Sequence, residues 1–168
     1  MHLLLFTLLF LLAYGFGNWR EWSKYNHTIF YVITSNLLYN FFCHDKLLWE
    51  YKPDYLLMSH TIIDLLYTFI ALPAITLLYL SFYPFDKPMF RQVRYIGQWV
   101  LSSMAIEYVF YKFDRLLLHN NYYYWMDLLF YPVMFSMIRL HYSRPILTYV
   151  LSTGIISFML WYFHIPLK

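Results

Sequence analysis

Hydrophobic residues form six long runs along the chain, separated by short polar or proline-containing segments. The runs are Leu3–Phe16, Thr28–Phe42, Leu56–Phe82, Val93–Phe110, Tyr122–Ile138 and Ile146–Phe163. A membrane-spanning helix needs about 20 predominantly apolar residues, within a range of about 17 to 25. The last four runs meet this length, whereas the first two need flanking aromatic residues or a locally thinner bilayer to span. The pattern predicts an all-α, polytopic transmembrane helix bundle with six spans.

Five spans, with one short run lying at the membrane surface, is the alternative. The connections contain turn residues such as Pro53-Asp54 and Tyr83-Pro84, and none is long enough to separate domains. Residues 1–168 are therefore predicted to form a single transmembrane helical domain. Pro73 and Pro132 lie inside predicted spans, where each removes a backbone donor and is expected to bend its helix.

Composition supports a membrane location. Hydrophobic residues make up 61% of the 168 residues and charged residues only 12%, whereas soluble domains are about one-quarter charged. A soluble chain of this size has too much surface for its volume to hide so many apolar side chains, so the lipid bilayer is the expected partner. The net charge of +3 is too small and too scattered for a nucleic-acid surface.

The distribution of basic residues predicts an orientation. With six spans, seven Lys and Arg residues fall on one side and five on the other. The larger group comprises Arg20, Lys24, Lys87, Arg91, Arg94, Arg139 and Arg144. Because cytoplasmic loops carry the excess of basic residues, this side is predicted to be cytoplasmic, with both termini on the other side.

Three acidic residues, Asp64, Glu107 and Asp127, lie inside the predicted spans. A charge at the bilayer centre costs at least about 2.5–3.5 kcal/mol, so such groups face the bundle interior or pair with a partner. His60 precedes Asp64 by four residues and shares its helix face, which Tyr67 continues. This spacing is compatible with a hydrogen-bonded structural pair, a proton relay or half of a metal site.

Antiparallel spans would bring these polar residues to one side of the bilayer. Asp64 begins the third run, Glu107 ends the fourth and Asp127 begins the fifth, while His44 follows the second. The sequence therefore predicts a polar pocket near one membrane face. Its candidate residues are His44, His60, Asp64, Tyr67, Glu107 and Asp127. Asn36 and Asn40, four residues apart in the second run, are predicted to form hydrogen bonds between packed helices.

Two functions from different classes fit this pattern. The first is a non-enzymatic transporter-like, channel-like or partner-binding membrane protein, either as a homo-oligomer or with another membrane protein. It is favoured because the common hydrolase, metalloprotease and phosphate-binding motifs are absent from the sequence. The alternative is a membrane-embedded, metal-assisted enzyme using His60, Asp64, Glu107 and Asp127, since carboxylate and imidazole groups suit a divalent metal. No cofactor is predicted outside this alternative.

Several short motifs follow one another in a fixed order along nearly the whole chain. They are Gly17–Trp22, Asn36–Tyr39, Ser59–Tyr67, Arg139–Tyr142 and Trp161–Pro166. In this order they resemble an uncharacterised family of small multi-pass membrane proteins from spore-forming, Bacillus-type bacteria. The resemblance implies a location in the bacterial cytoplasmic membrane, and it supplies no catalytic or binding residues.

Overall fold

The computed structural model describes residues 1–54, 57 and 59–166, and these are mostly helical. The long helices are α1 (His2–Phe16), α2 (Trp22–Cys43), α3 (His60–Ser81), α4 (Met89–Lys112), α5 (Asp127–Ser143) and α6 (Pro145–Tyr162). They coincide with the six hydrophobic runs, so the prediction of a helical fold is confirmed. The predicted start of the third run, Leu56, lies outside the described residues.

Contacts between the first three helices show how α1 and α2 each run relative to α3, and α1 meets α2 at a bend of 84°. His2 Nδ1 lies 3.2 Å from the Tyr67 hydroxyl, and the Asn18 N–H donates to Ser81 Oγ over 2.9 Å. Helix α1 therefore runs in the same direction as α3. Between them α2 runs the opposite way, because its carboxyl-terminal Asn40 hydrogen-bonds to Asp64 near the start of α3.

The remaining helices continue this alternation. The Tyr124 hydroxyl, just before α5, donates to the Met104 carbonyl in the second half of α4 over 2.7 Å. Lys46 Nζ, just after α2, donates to the Phe163 carbonyl at the end of α6 over 2.7 Å. The ends of α2, α4 and α6 consequently lie at the same end of the bundle as the starts of α1, α3 and α5.

Two short antiparallel strands cover this end of the bundle, which we call the capped end. Strand β1 (Trp49–Tyr51) belongs to the α2–α3 connection and β2 (Leu116–Leu118) to the α4–α5 connection. Trp49 pairs with Leu118, and Tyr51 pairs with Leu116. Three residues are too few for a period-two pattern, so the sequence did not predict these strands.

Helix α3 changes its winding in the middle. Residues Tyr67–Ala71 form a π-helical turn, in which the Leu72 N–H bonds to the Tyr67 carbonyl five residues earlier. Pro73 follows directly and cannot donate the usual bond four residues back. The wider turn accommodates this missing donor and rotates the residues before it relative to those after it.

The six predicted spans are not confirmed when length and hydropathy are judged helix by helix. In the described part of the chain, α3 and α6 are long and apolar enough to cross a membrane. A third candidate arises if His2–Phe16 and Trp19–Cys43, which meet at a bend of 84°, count as one span. Helix α4 carries four charged residues, and α5 has 17 residues. The described helices thus support two or three spans by this measure rather than six.

The bundle buries an aromatic and aliphatic core but leaves much apolar surface outside. Tyr79 and Phe135 are fully buried near its centre, with ring centroids 5.1 Å apart. On the outside, Phe41 is 76% exposed and Ile146 is 80% exposed. Within α6, every residue of which is described, Thr148 alone is buried. This helix therefore lies at the edge of the bundle, with most of its residues exposed or only partly buried.

Candidate functional site

A cavity of about 370 Å³ lies in the middle of the bundle, beneath the strands of the capped end. All six helices and both strands contribute to its walls, which are mostly apolar and aromatic. Polar side chains are few and include Asn36, Ser102, Ser103, Glu107 and Asp127. A concave, largely apolar space with a few polar groups is typical of small-molecule sites, whose volumes are about 300–1,000 Å³. We call this space the central cavity.

Asp127 projects into the central cavity from the first residue of α5. Its side chain is 3% exposed, and the Tyr122 hydroxyl donates to Oδ1 over 2.5 Å. The other oxygen, Oδ2, is buried and accepts no hydrogen bond from the described residues. The amino-terminal position favours a negative charge, because the helix dipole is positive there.

Glu107 enters the central cavity from the neighbouring helix α4. Its carboxyl group interacts with the Tyr131 hydroxyl and lies close enough to Asp127 for the two groups to repel each other when both are charged. Its Oε2 atom is buried and has no hydrogen-bond partner in the described part of the chain. Two carboxyl groups therefore share one region of the cavity, each with an oxygen left without a donor.

Stacked aromatic rings form the adjoining wall. The rings of Tyr51, on β1, and Tyr67, in the π-helical turn, stack with centroids 4.1 Å apart. Burial, together with the neighbouring Tyr67 and Glu107, raises the pKa of Tyr51 well above its ordinary value. Its hydroxyl consequently stays protonated and available as a donor. His2 is fully buried against the same pair and contacts the ring of Phe110 at 5.0 Å.

A second cluster of polar side chains connects α2 to α3 and is separate from the two carboxyl groups that line the cavity. Asn40 donates to Asp64 Oδ2, and Asn36 donates to Thr68 Oγ1 over 2.7 Å. Thr68 in turn donates to the Asp64 carbonyl over 2.8 Å. These bonds join two packed helices, which is the role predicted for the two asparagines. Asp64 is 9% exposed, and it is not among the residues lining the central cavity.

The structure thus divides the predicted pocket residues between several environments. Tyr67, Glu107 and Asp127 line the central cavity, whereas His44, His60 and Asp64 do not. His60 Nδ1 accepts a hydrogen bond from the Tyr51 N–H over 3.1 Å. The His44 side chain is 85% exposed and pairs with Asp45. All lie toward the capped end, but only three of the six share the cavity.

Two histidines with structural roles carried no signal in the sequence. His2 is adjacent to the amino terminus, where a side chain is ordinarily exposed, yet it is fully buried. His141 lies near the end of α5, but it is 2% exposed and stacks on Tyr31 at 4.4 Å. Its Nδ1 atom lies 3.1 Å from the Thr28 hydroxyl. Both burials arise from contacts with residues distant in sequence.

Among the residues that the structure describes, no three His, Cys, Asp or Glu side chains are grouped so that they could hold a metal ion. Comparison of the chain with protein-family models, with curated proteins and with solved structures found no match.

Proposed function

We propose that this chain is a multi-pass membrane protein of a bacterial cytoplasmic membrane, and that its central cavity binds a small ligand without chemically converting it. The protein would act as a transporter-like or channel-like component, or as a partner-binding scaffold. The observation that carries this proposal is the pair of carboxyl groups, Glu107 and Asp127, inside an otherwise apolar and aromatic cavity.

The membrane part of the proposal rests on the outer surface. Soluble monomers rarely expose continuous apolar patches above a few hundred Å², yet large hydrophobic side chains are exposed on every helix of this bundle. In a bilayer these side chains would contact lipid instead of water, so their exposure would carry no free-energy cost. The alternating direction of α2 to α6 supports a separate crossing for each of these helices, with the shorter α5 needing a locally thin bilayer. Helix α1 meets α2 at a bend of 84°, and we propose that it forms the sixth crossing in a locally thin part of the bilayer.

The binding part rests on the unpartnered oxygens. Buried polar atoms in folded proteins nearly always have a hydrogen-bond partner, which is a protein group, water or a ligand. Glu107 Oε2 and Asp127 Oδ2 find none among the described residues, although both residues line a cavity large enough for a small molecule. A site that accepts water or ligand would supply the missing donors.

Cysteine accessibility tests both parts in intact membranes. In a Cys43→Ala background, Ser103→Cys places a thiol on the cavity wall, and Ser136→Cys places one on an exposed face of α5. The reagent is methyl methanethiosulfonate, which is small and neutral and reacts with the thiolate. Thiolate formation requires water or a nearby positive charge and is suppressed in apolar surroundings.

We expect the cysteine at position 103 to react and the cysteine at position 136 to remain unreacted until the membrane is solubilised in denaturant. Rapid reaction at position 136 in intact membranes would show that this apolar face is in water, and would refute the membrane proposal. Apolar surroundings and nearby carboxyl groups both raise the pKa of a thiol, so labelling at position 103 is followed over a range of alkaline pH. Absence of reaction across that range, with normal helicity by circular dichroism, would refute a ligand-accessible cavity.

A further inference from the structure

We propose that the central cavity is built for a small lipophilic cation, namely an amine or quaternary ammonium group on a compact apolar body. This inference rests on the proposed function, because it names the chemical class of ligand for the same cavity. The geometry that points to it is the meeting of two partly unsatisfied carboxyl groups with stacked aromatic rings.

The carboxyl groups supply negative charge without a compensating cation. Asp127 lines the cavity and is 3% exposed, and its Oδ2 atom is buried without a donor from the described residues. Glu107 also lines the cavity and has a buried oxygen, Oε2, without a donor from the described residues. Among the described residues that line the cavity, none is Lys, Arg or His. A buried carboxylate is costly unless it is paired. Any bound organic cation would offset its charge, and a protonated amine would in addition donate the missing hydrogen bonds.

The aromatic rings suit the rest of such a ligand. Tyr51 and Tyr67 stack on each other near Glu107, and Trp49, Trp99 and Tyr131 are among the other aromatic residues of the wall. Cations are attracted to the faces of aromatic rings, and quaternary ammonium ligands are commonly bound in aromatic cages. The aliphatic remainder of the wall would favour an apolar body over a strongly hydrated ion.

An anionic ligand fits the same cavity poorly. It would place a negative charge beside two carboxyl groups that already repel each other when both are charged, and no basic side chain among the described residues of the wall offsets it. A bare metal ion also lacks support, because the described residues contain no group of three suitable ligands. The electrostatics and the lining therefore favour an organic cation.

The test measures ligand protection of the cysteine at position 103 against methyl methanethiosulfonate in intact membranes. The probes are benzyltrimethylammonium and neopentylbenzene, which have the same shape but differ in charge. We expect the cation to slow labelling at concentrations roughly 10- to 100-fold below those at which the neutral molecule does so, the ratio expected for a charge-assisted contact.

Three variants assign the effect to the carboxyl groups. Asp127→Asn and Glu107→Gln should each raise the half-protecting concentration of the cation roughly 10- to 100-fold. Asp64→Asn is the matched control, because Asp64 is also a buried carboxyl group but lies outside the cavity lining. It should leave protection unchanged. Circular dichroism and size-exclusion chromatography establish that each variant is folded, and the two-probe comparison in the otherwise unchanged protein does not depend on the variants.

The outcomes separate this inference from the proposed function. Equal protection by the two probes, or labelling without protection by either, overturns the cation proposal while the ligand-accessible cavity stands. Protection by the cation that survives both Asp127→Asn and Glu107→Gln also overturns it. Failure of position 103 to be labelled at all overturns both proposals together.

Discussion

The hydrogen bond between Asn40 and Asp64 should contribute measurably to the packing of α2 against α3. Asn40 donates its side-chain amide to Asp64 Oδ2, and Asp64 is 9% exposed. We expect Asn40→Ala and Asp64→Ala each to destabilise the protein, because the first leaves the buried Asp64 carboxyl group without this donor and the second leaves the half-buried Asn40 amide without its acceptor. The double variant should be less destabilised than the sum of the two single variants.

The expected coupling energy follows from the type of bond. Hydrogen bonds between membrane helices contribute about 0.6 kcal/mol on average and up to about 1.7 kcal/mol. A hydrogen bond to a carboxylate is roughly twice as strong as one between two neutral groups. We therefore expect a coupling of about 1–2 kcal/mol for the Asn40–Asp64 pair. The neighbouring pair of Asn36 and Thr68, whose atoms lie 2.7 Å apart, is neutral and should couple by about 0.6 kcal/mol.

The assay is reversible unfolding of the purified protein in mixed micelles with increasing sodium dodecyl sulfate, followed by far-ultraviolet circular dichroism. A double-mutant cycle with Asn40→Ala and Asp64→Ala gives one coupling energy, and a cycle with Asn36→Ala and Thr68→Val gives the matched control. Independent sites add to within about 0.3–0.5 kcal/mol. A coupling within that range for Asn40 and Asp64, or one no larger than the control, would refute the assignment of this bond as the stronger contact.

Two further predictions concern the interior packing. Tyr79→Phe removes a fully buried hydroxyl that donates to the Phe135 carbonyl over 3.1 Å; it should lower the free energy of unfolding by about 1 kcal/mol, and unchanged stability in the same micelle assay would contradict this bond. Gly17→Ala should cost about 1–3 kcal/mol, because the new Cβ would overlap the backbone carbonyl oxygen of Ala13 and would lie 2.8 Å from Leu77 Cδ2. Gly154→Ala is its control, since a Cβ there meets nothing within 4 Å; equal effects of the two changes would argue against close packing at Gly17.

The sequence alone determined where the helices lie and which end of the bundle holds the acidic residues. Long apolar runs leave few alternatives to helices, because only a helix satisfies the backbone of a long apolar segment locally. Once six helices alternate in direction, Asp64, Glu107 and Asp127 must lie toward one end. The expected hydrogen bonding of Asn36 and Asn40 between helices also follows from their spacing of four residues on one helix face.

Only the tertiary structure decided which of these residues meet. Packing against neighbouring helices decides how each helix is rotated about its axis and therefore which side chains point into the bundle. In α3 the π-helical turn at Tyr67–Ala71 also changes this rotation part-way along the helix. This is why Asp64 faces Asn40 on α2, while Glu107 and Asp127 face the central cavity.

Tertiary structure alone also decided two further features, namely the pairing of strands β1 and β2 and the burial of His2 and His141. Each depends on partners far away in sequence, as when Trp49 pairs with Leu118 across two helices. A run of three strand residues, or a single histidine near a helix end, contains no local pattern that specifies such a partner. The sequence therefore determined where the helices lie and which end of the bundle holds the acidic residues. The site itself arises from how the helices are rotated and packed, because packing and not local periodicity sets the side-chain contacts across a bundle.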